Sequence, residues 1–250
     1  MLTTERQSII VDLLKEKQTV TIQDMIEATE ASESTIRRDL TEMEKKKLLK
    51  RIHGGATWTE QKIREMSVLE KSTKNLQDKK RIAQYAASLV EEGDCVFLDA
   101  GTTTYQMIPY LKHKDVVVVT NGLNLVERLM EHEITAYLTG GKMKAKTSAV
   151  VGTQTINSIK SYRFDKCFLG VNGFDITYGY TTPDPEEASI KQTARSYALK
   201  AYALADPSKA GKVNFAKICE LNEATLITGS LPKEILQKLD AMKTIEVIQT

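Results

Sequence analysis

Apolar residues in the first sixty positions recur at helical spacing and are punctuated by capping residues. Ile9, Ile10, Leu13 and Leu14 fall three and four apart behind Thr3 and Thr4, either of which can cap a helix. Glu16-Lys17-Gln18 breaks that stripe, and Thr19-Val20-Thr21 opens a new element. Thr21 with Asp24 three residues on is a capping signature, with Ile22, Met25 and Ile26 as the apolar face of a second short helix. After the turn Thr29-Glu30-Ala31, Ser32 caps a third helix whose buried stripe is Ile36, Leu40 and Met43. Leu48, Leu49 and Ile52 flank basic residues, and Gly54-Gly55 supplies the positive φ values of a tight hairpin turn. Three short helices and a hairpin in this span predict a winged helix-turn-helix over residues 1–58.

Residues 59–77 are polar, charged and without periodicity, and read as a linker. From Asp78 the pattern changes. A helix carrying Ile82, Tyr85, Ala86 and Leu89 ends near Gly93. Short β-branched or apolar runs follow: CVFLDA, VVVVT, ITAYLTG, KCFLGV, AYALAD and ATLIT. Each closes on Gly, Asn or Thr, and most precede a helical pattern (Tyr105 to Leu111, Leu123 to His132, Glu186 to Leu199). Strands alternating with helices predict an α/β domain over 78–250, with a mostly parallel sheet covered on both faces.

Composition narrows the class. With 41% hydrophobic and 27% charged residues the chain is an ordinary globular one, neither disordered nor a disulfide scaffold. Cys95, Cys167 and Cys219 are far apart, odd in number and set in apolar runs, so they read as buried free thiols in a reducing cytosol; no metal site is expected. The N-terminal residues lack the pattern of a signal peptide, and no apolar stretch approaches membrane-spanning length, so a cytoplasmic protein is expected. A net charge of +2 decides nothing about partners; its distribution does.

Between Ser32 and Arg51, seven basic residues face four acidic ones, a net of +3. Ser34, Thr35, Arg37 and Arg38 occupy the first turns of the third helix, on the side away from Ile36 and Leu40. In helix-turn-helix proteins those turns enter the major groove. Lys50, Arg51 and His53, beside Gly54 at the hairpin tip, suit contacts to the DNA backbone. A lone basic run is more simply a solvated helix face, but here it coincides with the recognition helix and wing of a complete motif. His113 and His132 are solitary and receive no role.

In the second domain, DAGTTT ends a strand in a small, hydroxyl-rich loop where amides can approach an anion: Asp99, Gly101, Thr102, Thr103 and Thr104. Other strand ends supply Thr120 and Asn121; Gly140, Gly141 and Lys142; Gly152; Asn172 and Asp175; and Asp206 and Lys209. Ligands of open α/β sheets bind beyond the carboxyl ends of strands, so these loops are expected to meet in one pocket. There is no GxGxxG, no GxxxxGK[ST] and no GxSxG, which disfavours dinucleotides, triphosphates and serine hydrolysis, and no cofactor is expected. A small phosphorylated polyol fits. Amides, threonine hydroxyls and Lys209 or Lys142 would take the phosphate, and Asp99, Asn121 and Asp175 the hydroxyls. Glu187 and Lys191, four residues apart on one helix face, belong near this site or form a surface ion pair.

The stretch SESTIRRDLTEMEKKKLLKRIHGGA resembles the N-terminal signature of the DeoR family of bacterial repressors, and DAGTTT, VTNG, LTGGK, VGTQT, GVNGFD and LADPSK match the family's pattern in order. Two positions depart from it: Glu30, where the family often has glycine, and Pro207-Ser208-Lys209-Ala210. A left-handed turn at Glu30 would cost about 1 kcal/mol. The resemblance implies a sensor fold related to ribose-5-phosphate isomerase. GYTTPDPEEA is similar to repressors of fructose operons in Gram-positive bacteria, which implies fructose 1-phosphate as effector. Expected partners are operator double-stranded DNA, a phosphorylated sugar and a second copy, as homodimer or homotetramer. The competing class is a sugar-phosphate isomerase or deaminase fused to a DNA-binding domain, with Asp175, Glu187 and Lys209 of the right type for proton abstraction.

Overall fold

A computed structural model describes residues 2–17, 19–45, 48–58, 66–112, 114–242 and 245–250; His113 lies outside them. The chain divides into two compact units, residues 1–64 and 65–250.

The first unit runs α1 (Thr3–Lys17), β1 (Thr19–Thr21), α2 (Ile22–Thr29), α3 (Glu33–Lys45), β2 (Leu49–Ile52) and β3 (Gly55–Trp58). Its three strands form one antiparallel sheet in the order β1-β3-β2. Ile10, Leu14, Met25, Ile36, Leu40, Met43 and Leu49 close the core, the stripes expected from their spacing. Thr21 and Asp24 form the anticipated capping box on α2. Glu30 adopts φ 53°, the left-handed turn at the position of the missing glycine, and its amide donates to Ile26 O at 2.8 Å. The glycine pair divides its labour differently from the expectation. Gly54 takes φ +78° at the tip, whereas Gly55 lies within β3, where a Cβ would meet Val20 O at 2.2 Å. Gly55 is therefore held by close packing of the sheet.

The second unit begins earlier than Asp78. Ser67 caps α4 (Val68–Thr73) through a box with Glu70, and α5 spans Leu76–Ser88, so the stretch read as linker is structured from there on. The reason lies in local capping, which overrides the lack of apolar periodicity. There follow β4 (Cys95–Leu98), α6 (Thr102–Met107), β5 (Val117–Thr120), α7 (Leu123–Glu131), β6 (Thr135–Leu138), β7 (Lys142–Lys144), β8 (Ala149–Val151), α8 (Thr153–Lys160) and β9 (Phe164–Gly170). Then come β10 (Gly173–Asp175), β11 (Gly179–Thr182), α9 (Pro185–Ser196), β12 (Ala198–Ala205), β13 (Ala216–Cys219), β14 (Thr225–Thr228), α10 (Lys233–Asp240) and β15 (Val247–Gln249).

Seven strands form one parallel sheet in the order β15-β14-β12-β9-β4-β5-β6. Alternation along β4 serves two cores. Val96 and Leu98 pack with Ile82, Ala83 and Ala86 of α5 and with Leu125 and Leu129 of α7. Phe97 points the other way, to Phe164, Ile159, Ile190 and Ala194. The β7–β8 hairpin and an antiparallel sheet, β10-β11-β13, complete the unit and were not expected. From β4 the chain steps outward through β5 and β6, then returns to lay β9 on β4's other side. The sheet therefore reverses its winding between β4 and β9, and a crevice opens at their carboxyl ends.

Candidate functional site

In the first unit, α3 exposes Ser34, Arg37 and Arg38, with Thr35 half-buried. The Ser32 hydroxyl lies 2.9 Å from that of Thr35 and 3.1 Å from that of Ser34, so the helix opens on a knot of hydroxyls. Arg37 pairs with Glu33 at 2.6 Å, exposed. The wing is fastened to the same helix. The Arg51 amide donates to Glu44 Oε1 and its guanidinium to Thr41 Oγ1, each at 2.9 Å, while Lys50 and His53 stay exposed. Arg51 is thus a brace as well as a cation.

Asp39 leaves the charged face altogether. It is buried at 1% exposure, and Arg6 grips it through Nε at 2.5 Å and a second nitrogen at 3.2 Å. This pair joins α1 to α3 and removes one acid from the face presented by α3. Its sign in the sequence is Asp39's place beside Ile36, Leu40 and Met43 on the inner stripe.

In the second unit a cleft of about 610 Å³, open mouth included, lies over the carboxyl ends of β4 and β9. The loop after β4 brings Gly101, Thr102 and Thr103 to it, and that after β9 brings Asn172. Helix α9 contributes Glu187 and Lys191, and the end of β12 adds Asp206 and Lys209. Eight lining residues were missed from sequence: Val68 and Lys71 of α4, Lys79 of α5, Thr147 of the β7–β8 turn, and Ala100, Gly170, Val171 and Leu204 at strand ends.

Beneath the cleft, Lys191 forms a buried ion pair with Asp99, whose Oδ2 also accepts from Gly170 N at 3.0 Å. Burial pushes the Asp99 carboxyl up, against the opposing pull of Lys191. Glu187 Oε1 accepts from Thr147 Oγ1 at 2.7 Å and from Lys144 Nζ at 3.0 Å. Burial disfavours its charge, but Lys191, Thr147 and Lys144 together outweigh that and hold the carboxyl below its ordinary range. Lys144 also pairs at 2.5 Å with Asp184, the N-cap of α9.

The other end of the cleft is basic. Burial lowers Lys79 to about 8, only partly offset by the attraction of Asp206, and Lys209, Lys71 and Lys74 add repulsion. Burial lowers Lys209 as well, again against Asp206. Asp206 in turn accepts from Asn75 at 2.7 Å and from the Ser208 amide at 3.0 Å, so its charge is already engaged. Crowded, partly desolvated ammonium groups of this kind favour an anion, which would relieve their mutual repulsion.

The remaining expected residues lie elsewhere. Thr104 and Thr120 are buried and donate to Asp99 O and Leu98 O at 2.7 and 2.6 Å. Asn121 accepts from Ala100 N at 3.0 Å and donates to Val150 O at 3.2 Å, so it shapes the loop from behind. Gly140, Gly141, Lys142 and Gly152 do not line the cleft; Lys142 pairs with Glu186 on the surface at 3.3 Å. Asp175 caps a turn through the amides of Thr177 and Tyr178 and borders a separate hollow beside α10. The three cysteines are free, and Cys167 and Cys219 are buried; burial pushes Cys219 to about 12, which keeps its thiol protonated. Among the described residues no metal-binding cluster occurs, and no helix is long and apolar enough to cross a membrane.

A winged helix-turn-helix joined to an anion-attracting α/β unit defines a DNA-binding regulator with a sensor domain. Residues 6–62 match the model of the DeoR-like helix-turn-helix domain, and residues 74–230 that of the DeoR C terminal sensor domain. The chain belongs to the DeoR family of DNA-binding transcription repressors. It is 47% identical to an uncharacterised helix-turn-helix-type transcriptional regulator, FruR, of Bacillus subtilis, over 100% of both chains. It is 34% identical to the lactose phosphotransferase system repressor of Staphylococcus aureus over 98% of each. Among solved structures, ribose 5-phosphate isomerase A of Methanocaldococcus jannaschii overlaps 54% of this chain and 55% of its own, at 18% identity and a TM-score of 0.42. A probable sor operon regulator of Shigella flexneri overlaps 58% of this chain and 79% of its own, at 13% identity and a TM-score of 0.40.

Proposed function

We propose that the protein represses a fructose-utilisation operon and leaves its operator when fructose 1-phosphate occupies the switch-point cleft. One observation carries the effector half: Lys71, Lys79, Lys191 and Lys209 converge on a cleft edged by a Gly-Thr loop, while its carboxylates, Glu187 and Asp206, are already hydrogen-bonded within the protein. A phosphate suits the basic end, and the Asn172–Glu187–Lys191 end suits hydroxyls. The names of the relatives, a fructose-type regulator and a lactose system repressor, support a sugar as the ligand. The protein acts in the cytoplasm, as a dimer on two half-sites or a tetramer, and needs no cofactor.

Binding without turnover is the better account of Glu187. A general base works best with a pKa near the operating pH. Glu187 is instead held ionised by a lysine and a hydroxyl, and so is a weak base. The isomerase or deaminase alternative would have to work with a carboxylate held below its ordinary range. A ligand that binds only the folded state raises the melting temperature, by an amount equivalent to about 2.7 kcal/mol at a hundredfold excess over Kd. Fructose 1-phosphate is expected to raise it more than fructose, inorganic phosphate or glucose 6-phosphate, with no isomerised or deaminated product. A flat response to every sugar phosphate, or product formation lost in Glu187→Gln, would contradict the proposal.

A further inference from the structure

The parallel sheet of the sensor unit ends differently on its two sides. On one side β15 is a three-residue strand, half-buried at Val247 and Ile248, and the Gln249 side chain accepts from Leu231 N at 2.9 Å. On the other, β6 exposes all four of its residues, Thr135, Ala136, Tyr137 and Leu138. Among the described residues no strand pairs with its outer edge. Edge strands are ordinarily blunted by a lysine, a proline or a bulge. β6 has none of these: it is uncharged and pairs in regular register with β5. It turns Tyr137 and Leu138, 51% and 46% exposed, to the two faces of the sheet. Met130 near the end of α7 and Met143 of β7, in the flanking elements, are exposed as well.

The inner side of β6 decides what its outer edge offers. Thr139 N donates to Thr120 O of β5 at 2.9 Å. In a strand the amide and carbonyl of one residue point to the same side, and successive residues alternate. Thr135 and Tyr137 therefore face β5, and Ala136 and Leu138 present their amides and carbonyls outward. An antiparallel partner forms closely spaced pairs of bonds with residues spaced in this way. A second β6, turned about a two-fold axis through Tyr137, sets Ala136 against the partner subunit's Leu138 and Leu138 against the partner subunit's Ala136. Tyr137 then meets its own counterpart on the axis.

Charge obeys the same symmetry. Glu131 and Glu133 stand exposed before β6 and Lys142 stands exposed after it. Antiparallel pairing brings the acidic end of each strand to the basic end of the other. The surface pair of Lys142 with Glu186, at 3.3 Å, is of the exposed kind that holds a side chain weakly. An edge that complements itself in hydrogen bonds, apolar side chains and charge selects a second copy of this chain over an unrelated segment. Resting on the reading of the protein as a dimer or tetramer, we propose that two sensor units join through the β6 edge, antiparallel and two-fold, into one continuous sheet.

Sedimentation velocity of the full chain over a concentration series tests this. Tyr137→Lys places two like charges across the axis. It is expected to lower the assembly by one step, tetramer to dimer or dimer to monomer, or to weaken association at least about tenfold, with the circular dichroism of the folded chain retained. Wild-type assembly in a folded Tyr137→Lys variant overturns the β6 interface and leaves the dimer reading intact. A wild-type chain that stays monomeric at every concentration defeats that reading and the interface with it. Because the Tyr137 ring also lies 5.9 Å from that of Tyr162, a second arm uses exposed charges alone. Glu133→Lys and Lys142→Glu are each expected to weaken association about threefold, and the two together to restore it. Losses that add in the double variant overturn the antiparallel edge.

Discussion

The two units solve the problem of placing functional side chains in opposite ways. In the first, the residues proposed to face DNA come from neighbouring turns of one helix and from a hairpin directly after it. Nothing in that set is separated by more than about twenty positions, so a local pattern specifies it. In the sensor unit, Lys79, Asp99, Thr147, Lys191 and Asp206 come from distant elements, and only the reversal of sheet winding between β4 and β9 brings them together. A recognition surface can be written in local sequence; a cleft in a parallel sheet is written in topology.

Substitutions can break or sharpen that contrast. The largest effect is expected from Leu40→Ala in the core of the small unit, where a buried leucine truncation costs about 2–5 kcal/mol. That is enough to unfold a domain of this size. Operator binding should vanish, while calorimetric binding of fructose 1-phosphate persists; joint loss would show that the units do not act separately. Next in size, Arg38→Ala should weaken the operator complex by about 1–3 kcal/mol and lower the salt slope by about one. If affinity and slope both survive, α3 is not the helix that meets DNA.

For the cleft, the test is pH. Below about 8 Lys79 is charged and attracts phosphate; as pH rises through that value the charge is lost and effector affinity should fall. Lys79→Gln should be weaker at pH 7 and show a flatter profile in calorimetry. Linkage gives the opposite sign for stability. Between about 8 and the ordinary lysine value of 10.5 the unfolded chain holds more protons at this group, so its contribution to stability rises with pH. The smallest effect is expected at Glu30. Replacement by glycine relieves a side chain held at φ 53° and should stabilise the first unit by about 0.5–1 kcal/mol, visible in its thermal melt.

Much of the fold was legible. The capping box at Thr21, the inner stripe of α3 and six of the seven parallel strands all carry local signals. β15 and the antiparallel β10-β11-β13 sheet do not, because their pairing is decided by long-range packing. Of the cleft, the Gly-Thr loop and the Glu187–Lys191 face could be read directly. Lys79 left a trace that was passed over: it shares a stripe with Ile82, Ala83 and Ala86, where a charge signals either a buried partner or a site. Thr147 left none, since its role depends on a hairpin folding over α9. Asp175, Thr120 and Asn121 show the converse. These polar residues at strand ends hold loops and do not line the cleft.

The most direct test of the account is a titration of labelled operator with the full chain at fixed salt, with and without fructose 1-phosphate. The account predicts a loss of affinity of about 1–3 kcal/mol when the sugar phosphate is present, and none with fructose or inorganic phosphate. Operator affinity that is unchanged by fructose 1-phosphate would contradict it.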